Sequence, residues 1–373
     1  MSAARALHVL HTESSCGWGG QEIRILSEST GMIARGHRVA LACVPGAPIE
    51  RAAAAAGLEV LPLPIGRKRL PGLRALRRLF ARRRFDVVVT HSSTDAWLVA
   101  LACMGRRDAP PVVRIRHVSA PVAASAPNRW LYGRSVRHVV TTGERLRREL
   151  IETLGCPAQH VTSVPTGIDA GRFAPGDRNG ARAALGLPRD ALLVGIVATL
   201  RSWKGHRFLI DALARLPDPR VRLVIVGDGP MSEALREQAA QTAPAGRCVF
   251  AGQQEDVLPW LHAFDVFALP SYANEGVPQA LIQAMLCALP CVTTAVGAIP
   301  EIAIDARTAL VVPPRDATAL AAAIARLAGD PALRTTLGQA ARAHCLAGYT
   351  RDAMLDRMEH LLLSVARPAA DAP

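Results

Sequence analysis

A chain of 373 residues, half of them hydrophobic, is too long for one comfortable core and implies two domains. Its eight cysteines are scattered through apolar stretches with no CxxC pair, which argues against a zinc ribbon and fits reduced, buried thiols in a cytoplasmic protein. No apolar run approaches the roughly 20 residues that cross a bilayer. The formal charge of +13 belongs to the first half, since residues 1–188 carry 27 Lys and Arg against 13 Asp and Glu.

In chain order, strands and helices alternate. Leu7–His11 reads as a short strand, neither a signal peptide nor a membrane span, and leads into the Gly17-Trp-Gly-Gly20 loop. A helix through Ile23, Ile25, Leu26 and Met32 follows, then a strand at His37–Val44 and helical residues at Ala52–Ala56. Between Arg67 and Arg84, arginines alternate with Leu70, Leu73, Leu76, Leu79 and Phe80 in the spacing of a basic amphipathic helix. Three readings of that helix compete: a solvated surface, a docking face for an anionic membrane or lipid acceptor, and a nucleic-acid contact. The last is set aside, because aromatics make up only 4% of the chain and no stacking platform accompanies the charge.

Buried strands follow at Phe85–Thr90, Val112–Arg116 and His138–Thr141, with helices around Ala96–Met104 and Glu144–Leu154. The rhythm breaks into turn residues at Pro165–Gly176, so the boundary is placed near 180, giving domains 1–180 and 181–373. A second βα series runs through Leu192–Val197, Val221–Val226, Cys248–Phe250, Val266–Leu269 and Pro290–Thr293. The last helix, about 351–366, is a candidate to return to the first domain. Two such series predict an α/β protein of two doubly wound parallel-sheet domains facing a cleft.

The chemistry collects at strand ends. Asp265-Val-Phe-Ala-Leu-Pro270 reads as a buried strand that turns through Asn274-Glu275-Gly276 into a helix carrying Gln283. This holds the Glu275 carboxylate where a strand gives way to a helix, the usual ligand position in open α/β sheets. Ala198–Gly205 follows another buried strand and sets Arg201 and Lys204 beside a helix N-terminus, where two cations and backbone amides make a diphosphate site without a metal. The glycine turn Val226-Gly-Asp-Gly-Pro230 lies at a third strand end and is read as a rim of the same site or as a structural turn.

These segments, together with Val164-Pro-Thr-Gly-Ile-Asp169, Phe250-Ala-Gly252, Gly297-Ala-Ile-Pro-Glu301 and Leu310-Val-Val-Pro-Pro314, resemble those of the retaining glycosyltransferases of family 4. Gly19-Gly-Gln-Glu22 is similar to that family's glycine-rich loop near the diphosphate. The resemblance implies the GT-B fold of two Rossmann-like domains. It also implies transfer of a sugar from a nucleoside-diphosphate-sugar, which acts as substrate, with no metal and no further cofactor.

By the same resemblance Arg201 and Lys204 would hold the diphosphate and Glu275 the transferred sugar. Gly19, Gly20, Gly229, Gly276, Val277 and Gln283 would line the donor. His117 occupies the place of a family histidine near the reacting sugar, and His91 is a second polar group; a satisfied structural histidine is the alternative reading of each. Two positions depart from the pattern: Gln283 stands where a glutamate is usual, and Thr199 where an arginine is. The implied partners are the donor and a glycan or glycolipid acceptor of cell-surface polysaccharide or lipopolysaccharide assembly. The implied place of the protein is the cytoplasm or the inner face of the cytoplasmic membrane. A nucleotide-sugar epimerase and a non-catalytic binding subunit remain alternatives.

Overall fold

The computed structural model describes residues 5–117, 121–273 and 275–367. Strands buried on both faces, such as Val87–Thr90 and Val266–Leu269, form the centres of two parallel sheets, as their continuous apolar runs require. The first unit runs to Gly167 and resumes at Arg351; the second is Ile168–Thr350.

In the first unit the strands are β1 (His8–Glu13), β2 (Arg38–Cys43), β3 (Glu59–Pro62), β4 (Val87–Thr90), β5 (Val112–Arg116), β6 (His138–Thr141) and β7 (Val161–Ser163). They pair in the order β3-β2-β1-β4-β5-β6-β7. In the second unit β8 (Leu192–Val197), β9 (Val221–Val226), β10 (Cys248–Gly252), β11 (Val266–Leu269), β12 (Cys291–Thr294) and β13 (Leu310–Val312) pair in the order β10-β9-β8-β11-β12-β13. Each sheet reverses its winding once, between β1 and β4 and between β8 and β11. Such reversals open a crevice at the carboxyl ends of the strands.

The chain passes into the second unit at Gly167, earlier than the boundary near 180. The reason lies in the turn-rich segment itself, where Ile168 and Phe173 are buried in the second core. Beyond it, the short helix Arg178–Ala184 is pinned by Arg182, whose guanidinium donates to Asp265 at 2.5 Å and to the Ala263 carbonyl at 2.9 Å. The last helix, Arg351–Val365, packs in the first unit through Met354, Leu355, Met358 and Leu362.

The basic segment is a helix at Leu70–Arg82. Its Leu76 and Phe80 are buried in the first core, while Arg67, Lys68, Arg69, Arg74, Arg77, Arg78 and Arg82 stand exposed. The leucine face is thus used within the fold, and the arginine face is left to solvent. Among the described residues no helix is long and apolar enough to cross a membrane, and the eight cysteines are free thiols.

Candidate active site

In the second unit the neighbouring strands β8 and β11 end side by side. Their loops, Ala198–Gly205 and Pro270–Pro278, lead into the helices His206–Arg215 and Gln279–Leu286. Gly205 makes the close approach possible. It sits at φ +78°, and a Cβ there would fall 2.0 Å from the Pro270 carbonyl oxygen. The Tyr272 amide donates to the Trp203 carbonyl at 2.8 Å, joining the loops again.

The result is a direct ion pair: Lys204 Nζ lies 2.7 Å from Glu275 Oε1. Ser271 Oγ donates to the same oxygen at 2.6 Å. Glu275 is buried and Lys204 partly exposed, so the pair is shielded on the carboxylate side and open on the ammonium side. The backbone of Glu275 is fixed from the loop after β12, where the Ala298 amide donates to its carbonyl at 3.1 Å. Gly297 closes on that carbonyl at φ +63°; a Cβ would meet it at 2.0 Å.

The other residues anticipated on this side are placed as follows. Arg201 precedes the single turn Ser202–Lys204, is exposed, and stacks its guanidinium over the Trp203 ring at 5.6 Å. Gly229 packs against the Leu200 backbone, bringing the 227–230 turn onto the Arg201 loop. Gly276 and Val277 enter the helix. Val277 buries its side chain in the core, so it offers a ligand only its backbone. Gln283 is half-buried, in the second turn of that helix. Asn274 lies outside the described residues.

Sequence reasoning gave no role to Ser271 or to His206. His206 is buried, and neither of its ring nitrogens has a hydrogen-bond partner among the described residues. Burial, and then the Lys204 charge, push it down to about 4.

In the first unit, β1 and β4 end at the other reversal. His11 on β1 is level with Val89 on β4, and Val89 with Val113 on β5. Side chains two apart share a sheet face, so His91, two beyond Val89, and His117, four beyond Val113, step diagonally across one face. His11 Nδ1 lies 2.8 Å from His91 Nε2, and His91 Nδ1 lies 2.9 Å from His117 Nε2. The ring centroids lie 5.1 and 5.2 Å apart and the planes are inclined by 15° and 29°, so the rings meet edge to edge through their nitrogens. His11 and His91 are buried and His117 is half-buried.

All three histidines are held neutral. Burial and then the Arg24 guanidinium push His11 down to about 3. Burial and the neighbouring histidines put His91 well below the usual imidazole range. Burial, then Arg24, Arg114 and Arg116, do the same to His117. Arg24 is itself fully buried beside Glu28 and donates to the Val164 carbonyl at 2.8 Å.

Gly19 caps the helix Gly20–Ala34 in extended backbone, with Gly20 as its first residue. Behind this loop Glu13 is buried and accepts from the Ser15 amide at 2.6 Å and from the side chains of Gln21 and Ser92. Asp95, also buried, accepts from Thr12 Oγ1 at 2.7 Å and from the Ser92 amide at 2.9 Å. Burial raises both carboxyls, and Asp95 raises Glu13 further. This network stiffens the Gly19-Gly20 loop against the start of the helix Ser93–Cys103. His11, Glu13 and Asp95 escaped the sequence reading because the pairing of β1 with β4, some 80 residues apart in the chain, brings them together.

Comparison with known proteins adds three findings. The family model described as Glycosyltransferase Family 4 matches residues 18–172, and the model described as Glycosyl transferases group 1 matches residues 191–330. The D-inositol 3-phosphate glycosyltransferase of Kribbella flavida is 31% identical over 290 residues, covering 70% of this chain and 67% of that protein. Among solved structures, a glycosyltransferase of Rickettsia africae superposes with TM-score 0.87 at 16% identity, over 96% of this chain and 98% of that one. HepE of Anabaena, in complex with UDP and glucose, superposes with TM-score 0.83 at 19% identity, over 96% and 100%. At these identities the two structures speak for the fold.

Proposed function

The chain belongs to the family 4 glycosyltransferases, and from that premise we propose that it moves a sugar from a nucleoside-diphosphate donor to an acceptor hydroxyl with retention of anomeric configuration. The observation that carries this reading is the Lys204–Glu275 pair at 2.7 Å, set where the second sheet reverses. An ammonium and a carboxylate fixed together suit a ligand that is anionic at one end and hydroxylated at the other.

In the proposed reaction the bond between the anomeric carbon and the diphosphate oxygen breaks, and the bond to the acceptor oxygen forms on the same face. Negative charge builds on the leaving diphosphate. Arg201 and Lys204 oppose that charge from fixed positions, at little reorganisation cost. Glu275 accepts a hydrogen bond from a sugar hydroxyl, and Ser271 and Lys204 keep its carboxylate aimed. The proton of the acceptor hydroxyl passes to the departing phosphate oxygen, so no enzymic nucleophile is needed. His117 is assigned to orient the reacting sugar. The amides around Gly19, Gly20, Gly276 and Val277 contribute further donors, and Gln283 offers a neutral amide to a hydroxyl.

Product analysis tests the proposal. With donor and a competent glycan or glycolipid acceptor, the expected product carries the donor's anomeric configuration, read from its anomeric proton coupling. An inverted product would contradict the mechanism. Conversion of donor without acceptor would point to an epimerase, and binding without turnover to a non-catalytic subunit.

We assign the acceptor to a cell-surface polysaccharide or lipopolysaccharide precursor at the cytoplasmic membrane, with the exposed arginines of 67–82 as the docking face. Each basic residue near an anionic surface contributes about 1 kcal/mol. Arg74→Glu combined with Arg78→Glu is therefore expected to weaken vesicle binding by roughly tenfold or more. Co-sedimentation with vesicles of rising phosphatidylglycerol content checks this, and binding indifferent to lipid charge would refute it.

A further inference from the structure

Three neutral imidazoles in a row can order their protons in only two ways. In the first, every ring carries hydrogen on Nδ1: His11 donates to His91, His91 donates to His117, and His117 keeps an Nδ1–H for whatever it faces. In the second, every ring carries hydrogen on Nε2: His117 donates to His91, His91 donates to His11, and His11 is left with an Nε2–H. Both orders satisfy the observed contacts of 2.8 and 2.9 Å. They differ at the two ends of the row.

The inner end decides between them. His11 is completely buried, and its Nε2 has no hydrogen-bond partner among the described residues. The second order would strand an N–H donor there, the kind of orphan that folded proteins avoid most consistently. The first order leaves a bare nitrogen instead and moves the free N–H to half-buried His117. An extra proton, which would let a ring donate from both nitrogens, is opposed by burial and by the charges of Arg24, Arg114 and Arg116.

We infer that His11 and His91 are positioning residues that lock the tautomer of His117, so that His117 presents an Nδ1–H donor rather than a basic nitrogen to the substrate. The inference rests on His117 facing substrate, as proposed above, and sharpens its role. A locked donor can hold a sugar hydroxyl or a phosphate oxygen and cannot take a proton from the acceptor. That leaves the proton to the departing phosphate. It also explains why two further histidines are buried behind His117: an isolated imidazole would exchange freely between tautomers.

The tautomer is measurable without substrate, so this inference and the assigned activity fail separately. Long-range ¹H–¹⁵N correlation spectra of the ¹⁵N-histidine-labelled protein at neutral pH, with His117 assigned through His117→Asn, should show Nδ1 protonated and Nε2 bare. A His117 protonated on Nε2 overturns the inference. Two variants add a kinetic reading. The His91→Gln amide can accept from His11 and donate to His117, whereas His91→Phe fills the space and does neither. Expected are retention of the Nδ1–H form in His91→Gln, its loss in His91→Phe, and a kcat for His91→Phe about tenfold or more below that of His91→Gln. A ring that merely fills the core predicts the reverse order, and that result would also overturn the inference.

Discussion

Lys204→Ala and Glu275→Ala are expected to lower donor turnover by about 10²–10³-fold each, the usual scale for removing one preorganised group from a charge-stabilising site. Their kinetic signatures should differ. Lys204→Ala removes attraction for the diphosphate in both the bound and the reacting donor, so KM rises while kcat falls. Glu275→Ala removes a sugar contact and frees the ammonium for phosphate, so the loss lies mainly in kcat. Neither truncation touches the backbone bond from Ala298 to Glu275 or the close packing of Gly297, so both variants should remain folded. Ser271→Ala is the internal control. It deletes one hydrogen bond to Oε1 and leaves the ion pair, and a loss of roughly tenfold or less is expected. Steady-state donor consumption with thermally matched variants checks the series. Near-wild-type turnover by both Lys204→Ala and Glu275→Ala would remove the site assignment.

Stability should fall steeply on mild acidification. His11 is held down to about 3 and His206 to about 4, while His91 and His117 lie well below the ordinary range. A histidine whose folded value is lowered binds its proton more readily when unfolded. Its contribution is therefore complete above about pH 6.5 and is lost as the pH falls below that. Each such histidine adds about 1.4 kcal/mol per pH unit to the slope, so His11 and His206 alone give a slope of roughly 2.7 kcal/mol per pH unit between pH 6 and 4.5. Glu13 and Asp95 act in the opposite sense. Their raised carboxyls hold protons more tightly in the folded chain, which partly offsets the loss over the same range. Four lowered histidines stand against two raised carboxyls, which leaves a net decline. Urea midpoints should decline between pH 7.5 and 5.5, and His206→Leu should flatten the decline. A midpoint that holds constant across that range would contradict the account.

The placement of Glu275 and Lys204 at strand ends of the second unit was legible in the sequence because its signals are local. Asp265–Pro270 is an apolar run bounded by turn residues, and a carboxylate nine residues beyond the start of β11 can hardly fall elsewhere than its carboxyl end. The same reasoning placed Lys204. The direct bond between the two was not legible, because it depends on β8 and β11 being neighbours although β9 and β10 separate them in the chain. The sequence reading put Glu275 at the sugar and Lys204 at the diphosphate, as separate stations; the structure joins them into one polar group.

Of the three histidines in the first unit's row, the sequence points to His91 and His117, each as a single residue. The third member, His11, read as the end of a short strand, since register between distant strands has no local signature. Edge strands were the other omission. Glu59–Pro62 and Val161–Ser163 border the first sheet, are short and partly exposed, and lack the apolar run that marked the central strands. The domain boundary was misplaced for a related reason. Turn residues at 165–176 look like a linker, yet Ile168 and Phe173 among them are core residues of the second unit.

Thermal unfolding of the wild type and of Lys204→Ala against a panel of nucleoside-diphosphate sugars tests the donor site most directly. A ligand at a hundred times its Kd stabilises the folded chain by about 2.7 kcal/mol. A raised Tm is expected for the wild type with at least one member of the panel, and loss of that shift in Lys204→Ala. A wild type indifferent to every donor, or a variant that responds equally, would contradict it.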